Sequence, residues 1–132
     1  MLNSSFIDFS DKVSGTLSLF DINKTDQNHY MVAESRGLSP EMLAIPEQIH
    51  STEITCIDAP GSYMATDGLI TDNPEIILTL KVADCVPVYL SDSHIIGLVH
   101  SGWRGTSGCI VANAVRKMIR MGVNKKEVSV FL

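Results

Sequence analysis

The sequence predicts an α/β (α+β) domain in which mixed β-sheets are covered by at least one helix. Three observations predict it. Short β-rich runs recur from residue 15 to residue 100. An apolar set at helical spacing follows at 110–119. The chain then returns to an alternating run, "EVSVFL" (127–132). At 132 residues, 45% hydrophobic and 19% charged, the chain suits one domain with a real core.

The elements are expected in this order. "GTLSLF" (15–20) reads as a strand, and "DINKTDQNH" (21–29) as a polar turn. In "LSPEMLA" (38–44), Ser39 stands as N-cap with Pro40 at the first helical position, which predicts a short helix. "EQIHSTEITCID" (47–58) alternates, with His50, Thr52, Ile54 and Cys56 on one face, and predicts a half-buried strand. "APGSYMATDG" (59–68) reads as a loop, and "LITDNPE" turns at Asn73-Pro74.

"IILTLKVADC" (76–85) is nearly continuous in β-formers and predicts a central strand buried on both faces and ending in Cys85. "VPVYL" (86–90) continues that strand or forms its partner, with Pro87 marking a bulge or an edge. "SDSH" turns into "IIGLVH" (95–100), a hairpin-like neighbour that ends in His100. Ile110, Val111, Ala114, Val115, Met118 and Ile119 predict a helix, with Arg116, Lys117 and Arg120 near its C-terminal end and Gly122 as its stop. A chain that ends on a strand-like run without a tail reads as the front part of a longer protein.

Composition narrows the function classes. A net charge of −5 offers no electrostatic footprint for nucleic acid. No apolar run is long enough to span a bilayer, and the N-terminus lacks a signal-peptide pattern. Three cysteines, at 56, 85 and 109, do not make a disulfide framework. A cytoplasmic location, and a monomer or weak oligomer, are expected.

Three metal-ligating residue types sit at predicted strand positions: His50 on a strand face, Cys85 at the end of a buried strand and His100 at the end of its neighbour. One Cys and two His with an open fourth position would suit a catalytic zinc site. In a second reading Cys85 is a nucleophile, with His100 as base and Asp84 or Asp67 as orienter. The blander reading makes Cys and His packing residues, and Asp67 and Asp84 turn-formers. His29 and His94, in polar turns, are expected at the surface. "SGWRGTSG" (101–108) leads into the helix. Its glycines and Arg104 read either as a cradle for an anion, with backbone N–H groups of 105–108 contributing, or as a tight turn with Arg104 on the surface. Trp103 reads as a core plug that fixes the turn.

Together, "QIHS" (48–51), "TDGLIT" (66–71), "VADCVPVYL" (82–90) and "HSGWRGT" (100–106) resemble the laccase-like polyphenol oxidoreductase family, also described as purine nucleoside phosphorylases. Order and spacing match from about residue 15 to the end. Val82 stands where the family usually has Thr, and Ser101 where it usually has Ala. The family pattern continues into a Gly-Pro loop and further helices, so the resemblance implies a single, incomplete domain over 1–132, with a partly open site and low activity.

The resemblance implies an α/β sandwich and a zinc ion held by His50, Cys85 and His100. It also implies phosphorolysis of adenosine, inosine or methylthioadenosine, with adenosine deamination to inosine as a related activity. Arg104 would then hold phosphate, and Asp67 or Asp84 would orient a ligand histidine or carry a proton. Copper is the alternative metal, because a blue-copper site also takes two His and one Cys. A multicopper oxidase needs further His-rich sites, which four histidines do not supply. The remaining alternatives are a metal-free cysteine hydrolase and a non-catalytic interaction domain.

Overall fold

The computed structural model of the chain describes residues 22–132, with side chains described from 29 onward. The strand expected at 15–20 lies outside the described residues. Among the described residues, eight strands form two sheets between helices. β1 (Leu43–Pro46), β3 (Gly61–Tyr63) and β5 (Ile77–Leu78) make a parallel three-stranded sheet in the order β3-β1-β5. β2 (Ile54–Cys56), β4 (Gly68–Thr71), β6 (Val86–Ser91), β7 (Ile96–Ser101) and β8 (Ser129–Phe131) make a mixed five-stranded sheet in the order β2-β4-β7-β6-β8. The helices are α1 (Ile22–Ser35), the short α2 (Trp103–Ser107) and α3 (Ile110–Arg120).

Strand alternation builds the layers. On β4, Ile70 faces a core with Val88, Leu90, Val99 and the α3 residues Ile110, Ala114 and Met118. Its neighbour Leu69 faces the other way, against Ala44 of β1, Ile57 and Ile76. On β1, Leu43 and Ile45 point away from that second core and pack on Ala33 of α1. The result is a four-layer sandwich: α3, the five-stranded sheet, the three-stranded sheet, and α1. The expected mixed-sheet α/β sandwich is therefore what the chain forms.

Two elements follow the sequence closely. The hairpin is in full register from Val86↔Ser101 to Ser91↔Ile96, closed by the Asp92 carboxylate, which accepts from the His94 and Ile95 amides. β8 begins pairing with β6 only at Tyr89, so Pro87 lies where the ladder has a neighbour on one side alone. α3 buries Ile110, Ala114 and Met118 completely and ends in a Schellman turn. There the Val123 amide bonds to the Met118 carbonyl, the Gly122 amide bonds to that of Ile119, and Gly122 takes φ 107°. α1 ends the same way at Gly37.

Five expectations are corrected. Residues 22–29 belong to α1, not a turn; the segment 22–35 is polar but contains neither Gly nor Pro, so nothing breaks it. The helix expected at 38–44 is a single 3-10 turn, Pro40–Met42, in which Ser39 makes no side-chain cap, and Leu43 already starts β1. The run 47–58 is a strand only at Ile54–Cys56, and His50 breaks the alternation with φ 59°. The loop 59–68 contains the strand β3. The central strand expected at 76–85 shrinks to the edge strand β5. Residues 82–84 are exposed, and Cys85 sits half-buried in the bend before β6.

The packing of α3 gives a direct test. Met118→Ala is expected to cost about 3 kcal/mol of unfolding free energy. Ile119→Ala, one residue on but 39% exposed, should cost less than about 1 kcal/mol. Urea unfolding of both variants checks which face of α3 carries the core.

Candidate functional site

One buried carboxylate organises the loop between β1 and β2. Asp67, at the entrance to β4, is fully buried and accepts from three successive amides. These are Ile49 at 3.3 Å and Ser51 at 2.7 Å on Oδ2, and His50 at 2.9 Å on Oδ1. The Ser51 hydroxyl adds a bond of 2.6 Å to Oδ2. A turn of consecutive N–H groups with one left-handed residue is a nest for an anion, and the anion here is a side chain of the protein. The left-handed His50 is the cost of that wrapping, on the order of 1–3 kcal/mol.

The same carboxylate holds His100. Asp67 Oδ1 lies 2.9 Å from His100 Nδ1, and the His100 amide donates to the Asp67 carbonyl at 2.7 Å. With the Nδ1 proton on that bond, Nε2 is left as the free electron pair. Burial pushes the Asp67 carboxyl up. The bonds from His100, from the Ser51 hydroxyl and amide, and from the His50 amide outweigh it and hold the group below the ordinary carboxylate range.

Cys85 reaches the same place by register. Because β6 starts at Val86, opposite Ser101, the thiol arrives beside the end of β7. Gln48 ties the two approaching segments together, accepting from the Lys81 amide and donating to the Lys81 carbonyl, both at 2.7 Å. The ligand atoms of His50, Cys85 and His100 consequently lie within 4.8 Å of one another. The imidazoles meet edge to face at 4.9 Å. His100 is buried, Cys85 half-buried and His50 exposed, so the group opens to solvent on the His50 side.

This donor set suits a metal. One thiolate and two neutral imidazoles are a borderline-soft N/S set of the kind zinc takes, and copper accepts the same atoms. Bonds of roughly 2.0–2.3 Å would require the three side chains to close by about an ångström. Gly102 keeps the space clear: a Cβ there would stand 3.2 Å from Cys85 Sγ and 3.3 Å from His50 Cδ2. Its φ of −78° and ψ of 179° suit any residue, so room and not backbone freedom explains this glycine.

The other expected site residues are distributed differently. Asp84 is exposed in the bend, and among the described residues its carboxylate has no hydrogen bond; Asp67, not Asp84, is the carboxylate brought to a histidine. Trp103 is no core plug. It is 75% exposed, with the Arg104 guanidinium 5.1 Å from its ring centroid. Arg104 is itself exposed. The backbone cradle expected at 105–108 does not form as drawn, because the chain is already helical from Trp103. The Thr106 amide donates to Gly102, and that of Gly108 to Arg104. Gly105 and Gly108 are small because they press on the His50 loop: a Cβ would meet the Ser51 carbonyl at 3.3 Å from Gly105, and the Thr52 methyl from Gly108. His94 is exposed as expected, but His29 is half-buried. Sequence reasoning missed Ser51, Gln48 and the special role of Gly102. The first two lie inside the quoted "QIHS", where a Gln and a Ser flanking a histidine were the available signal. The three cysteines are free, in keeping with the absence of a disulfide framework.

Comparison with known proteins places the chain in a family. The family model described as multi-copper polyphenol oxidoreductase laccase matches residues 19–132. A purine nucleoside phosphorylase of Corynebacterium glutamicum is 40% identical over 107 residues, covering 76% of this chain and 44% of that protein. An adenosine deaminase from an unknown prokaryotic organism is 33% identical over 103 residues, covering 69% of this chain and 39% of that protein. YlmD from Geobacillus stearothermophilus superposes with a TM-score of 0.78 at 28% identity, over 89% of this chain and 49% of that one. YfiH of Bacillus licheniformis gives 0.77 at 30% identity, with the same coverage. The chain thus spans about half the length of the relatives it matches, or somewhat less. With all of its described length matched by the family model and the same fold in the solved relatives, the chain belongs to the multi-copper polyphenol oxidoreductase laccase family.

Proposed function

We propose that this chain carries the metal-binding part of a zinc-dependent purine nucleoside phosphorylase. The observation that carries the reading is the convergence of His50, Cys85 and His100 on one solvent-open point. Relatives named purine nucleoside phosphorylase supply the reaction class. Phosphate oxygen attacks C1′ of the ribose, the bond from C1′ to the base nitrogen breaks, and the base leaves to take up a proton. Bound zinc would supply Lewis acidity, drawing negative charge to the site.

The chain's own residues have distinct tasks in this reading. Asp67 holds His100 in the tautomer whose Nε2 is unprotonated, and it fixes the backbone of His50. Cys85 contributes the thiolate. Arg104, exposed and two residues beyond Gly102 in the chain, would offer guanidinium N–H donors to a phosphate. Gly102 leaves the volume that an ion needs. The relative named adenosine deaminase supports a second reaction at the same site, hydrolytic loss of the adenine amino group. Ammonia release without phosphate separates it from phosphorolysis. Among the described residues, no helix is long and apolar enough to cross a membrane.

Three outcomes are expected. The purified protein should bind one zinc, and adenosine with phosphate should yield adenine and ribose 1-phosphate, with loss of turnover on chelation. Metal analysis and product chromatography check this. Retained turnover after chelation, abolished by a thiol reagent, would instead point to a cysteine nucleophile, and phenol oxidation restricted to the copper-loaded protein to the oxidase. Cys85→Ala should abolish stoichiometric zinc, and Gly102→Ala should weaken zinc several-fold with the fold intact by circular dichroism; full zinc in Cys85→Ala sinks the reading. Asp67→Asn should weaken zinc by roughly 10- to 100-fold. Because it sets an amide among donors, it should also cost on the order of 2–3 kcal/mol in urea unfolding.

A further inference from the structure

The three donors are not held alike. Asp67 fixes His100 through ring and amide, and its carboxylate accepts from the His50 amide. Cys85 stands instead at the end of the connection 79–85 between β5 and β6. The start of that connection is tied to β1, because the Thr79 amide and hydroxyl both donate to the Ala44 carbonyl, at 3.2 and 3.1 Å. Its last stretch before the cysteine, Val82 to Asp84, is exposed. Lys81 lies between the two, and Gln48 holds it.

The Gln48 carboxamide acts there as a strand residue would. Its oxygen accepts from the Lys81 amide and its nitrogen donates to the Lys81 carbonyl, each at 2.7 Å. A carboxamide offers the donor and the acceptor of a peptide group in one plane, which a carboxylate or an ammonium does not. β1 and β5 pair at Leu43↔Ile77 and Ala44↔Leu78, so this side chain carries the contact past the end of β5 towards Cys85.

The two sides of the clamp differ. On the Gln48 side the neighbours are anchored independently. The Glu47 amide donates to the Tyr63 carbonyl at 2.7 Å, and the Glu47 carboxylate accepts from the Ala65 amide at 2.8 Å. The amides of Ile49, His50 and Ser51 are wrapped on Asp67. Loss of the clamp therefore releases the Lys81 side and leaves the His50 loop where it is.

We propose that Gln48 is the positioning residue for Cys85: its paired bonds to Lys81 set the sulfur against the two imidazoles. Gln48 acts through the thiolate alone, while Asp67 acts through the histidines. The proposal rests on the metal reading above and deepens it.

Cobalt(II) tests this on the full chain, since a thiolate–cobalt bond gives a near-ultraviolet charge-transfer band that imidazole–cobalt bonds lack. The wild-type protein loaded with cobalt should show the band. Cys85→Ala should lack it, which separates Cys85 from the exposed Cys56 and Cys109. Gln48→Ala should still bind cobalt but lose most of the band, and its zinc affinity should fall roughly 10- to 100-fold. Gln48→Glu, of the same size, keeps the acceptor but sets a carboxylate oxygen against the Lys81 carbonyl. It should lose the band likewise, and it carries the test if Gln48→Ala does not fold. Hydrogen exchange at the amides of 49–51 should stay as in the wild type.

A full band with wild-type zinc affinity in both variants overturns the inference while the metal reading stands. A lost band with faster exchange at 49–51 also overturns it, because Gln48 would then support the whole loop. A band lost in the Gln48 variants, with unchanged exchange at 49–51, in a protein without phosphorolysis upholds the inference and removes the phosphorylase reading. Cobalt bound by the wild type without the band, or no bound metal, removes both.

Discussion

The structure around the donor group depends on one charge, the buried carboxylate of Asp67. An unpaired carboxylate in that position would be costly enough to be protonated or expelled. Here it takes five hydrogen bonds across its two oxygens, four from the His50 loop and one from the His100 ring. Two parts of the chain fifty residues apart are thereby tied to a single point. The amides of Ile49, His50 and Ser51 would otherwise be partly buried without partners, and His50 would have no reason to adopt φ 59°. Stability and site geometry are the same set of bonds, which explains why a carboxylate and not an apolar residue fills the space.

The third donor arrives by a different route. Cys85 owes its place to the hairpin register and to the paired bonds between Gln48 and Lys81, so its position is set by backbone pairing and not by charge. The donor group thus has one buried and well-held member, His100, and two members nearer the solvent. That gradient gives the group a closed side, at His100, and a side open to solvent, at His50.

What could be read from the sequence follows from how local each signal is. The hairpin 86–101 and the helix 110–120 were readable because their periodicity and turns lie within a few residues of one another. The run 47–58 was misread because its alternation is real but idle: the loop is shaped by Asp67, 16 to 18 residues further on. In 76–85, Ile76 is buried from a turn and Leu78 half-buried from a two-residue strand, so apolar content did not mean a long strand. Trp103 was misplaced because hydrophobicity says what a residue gains from cover, not that its own chain supplies the cover. The three donors were nameable from residue chemistry and from the family resemblance. Their convergence on one point came from the resemblance alone, since spacing does not carry the register of β6 and β7.

The central claim is that one sulfur and two nitrogens, two of the three ligands tied to a common carboxylate, hold a single ion. X-ray absorption at the zinc edge of the reconstituted protein measures that shell. The account predicts one sulfur at about 2.3 Å with the remaining ligands, nitrogen and oxygen, at about 2.0–2.1 Å. A shell without sulfur, or one with two or more sulfurs, would contradict it.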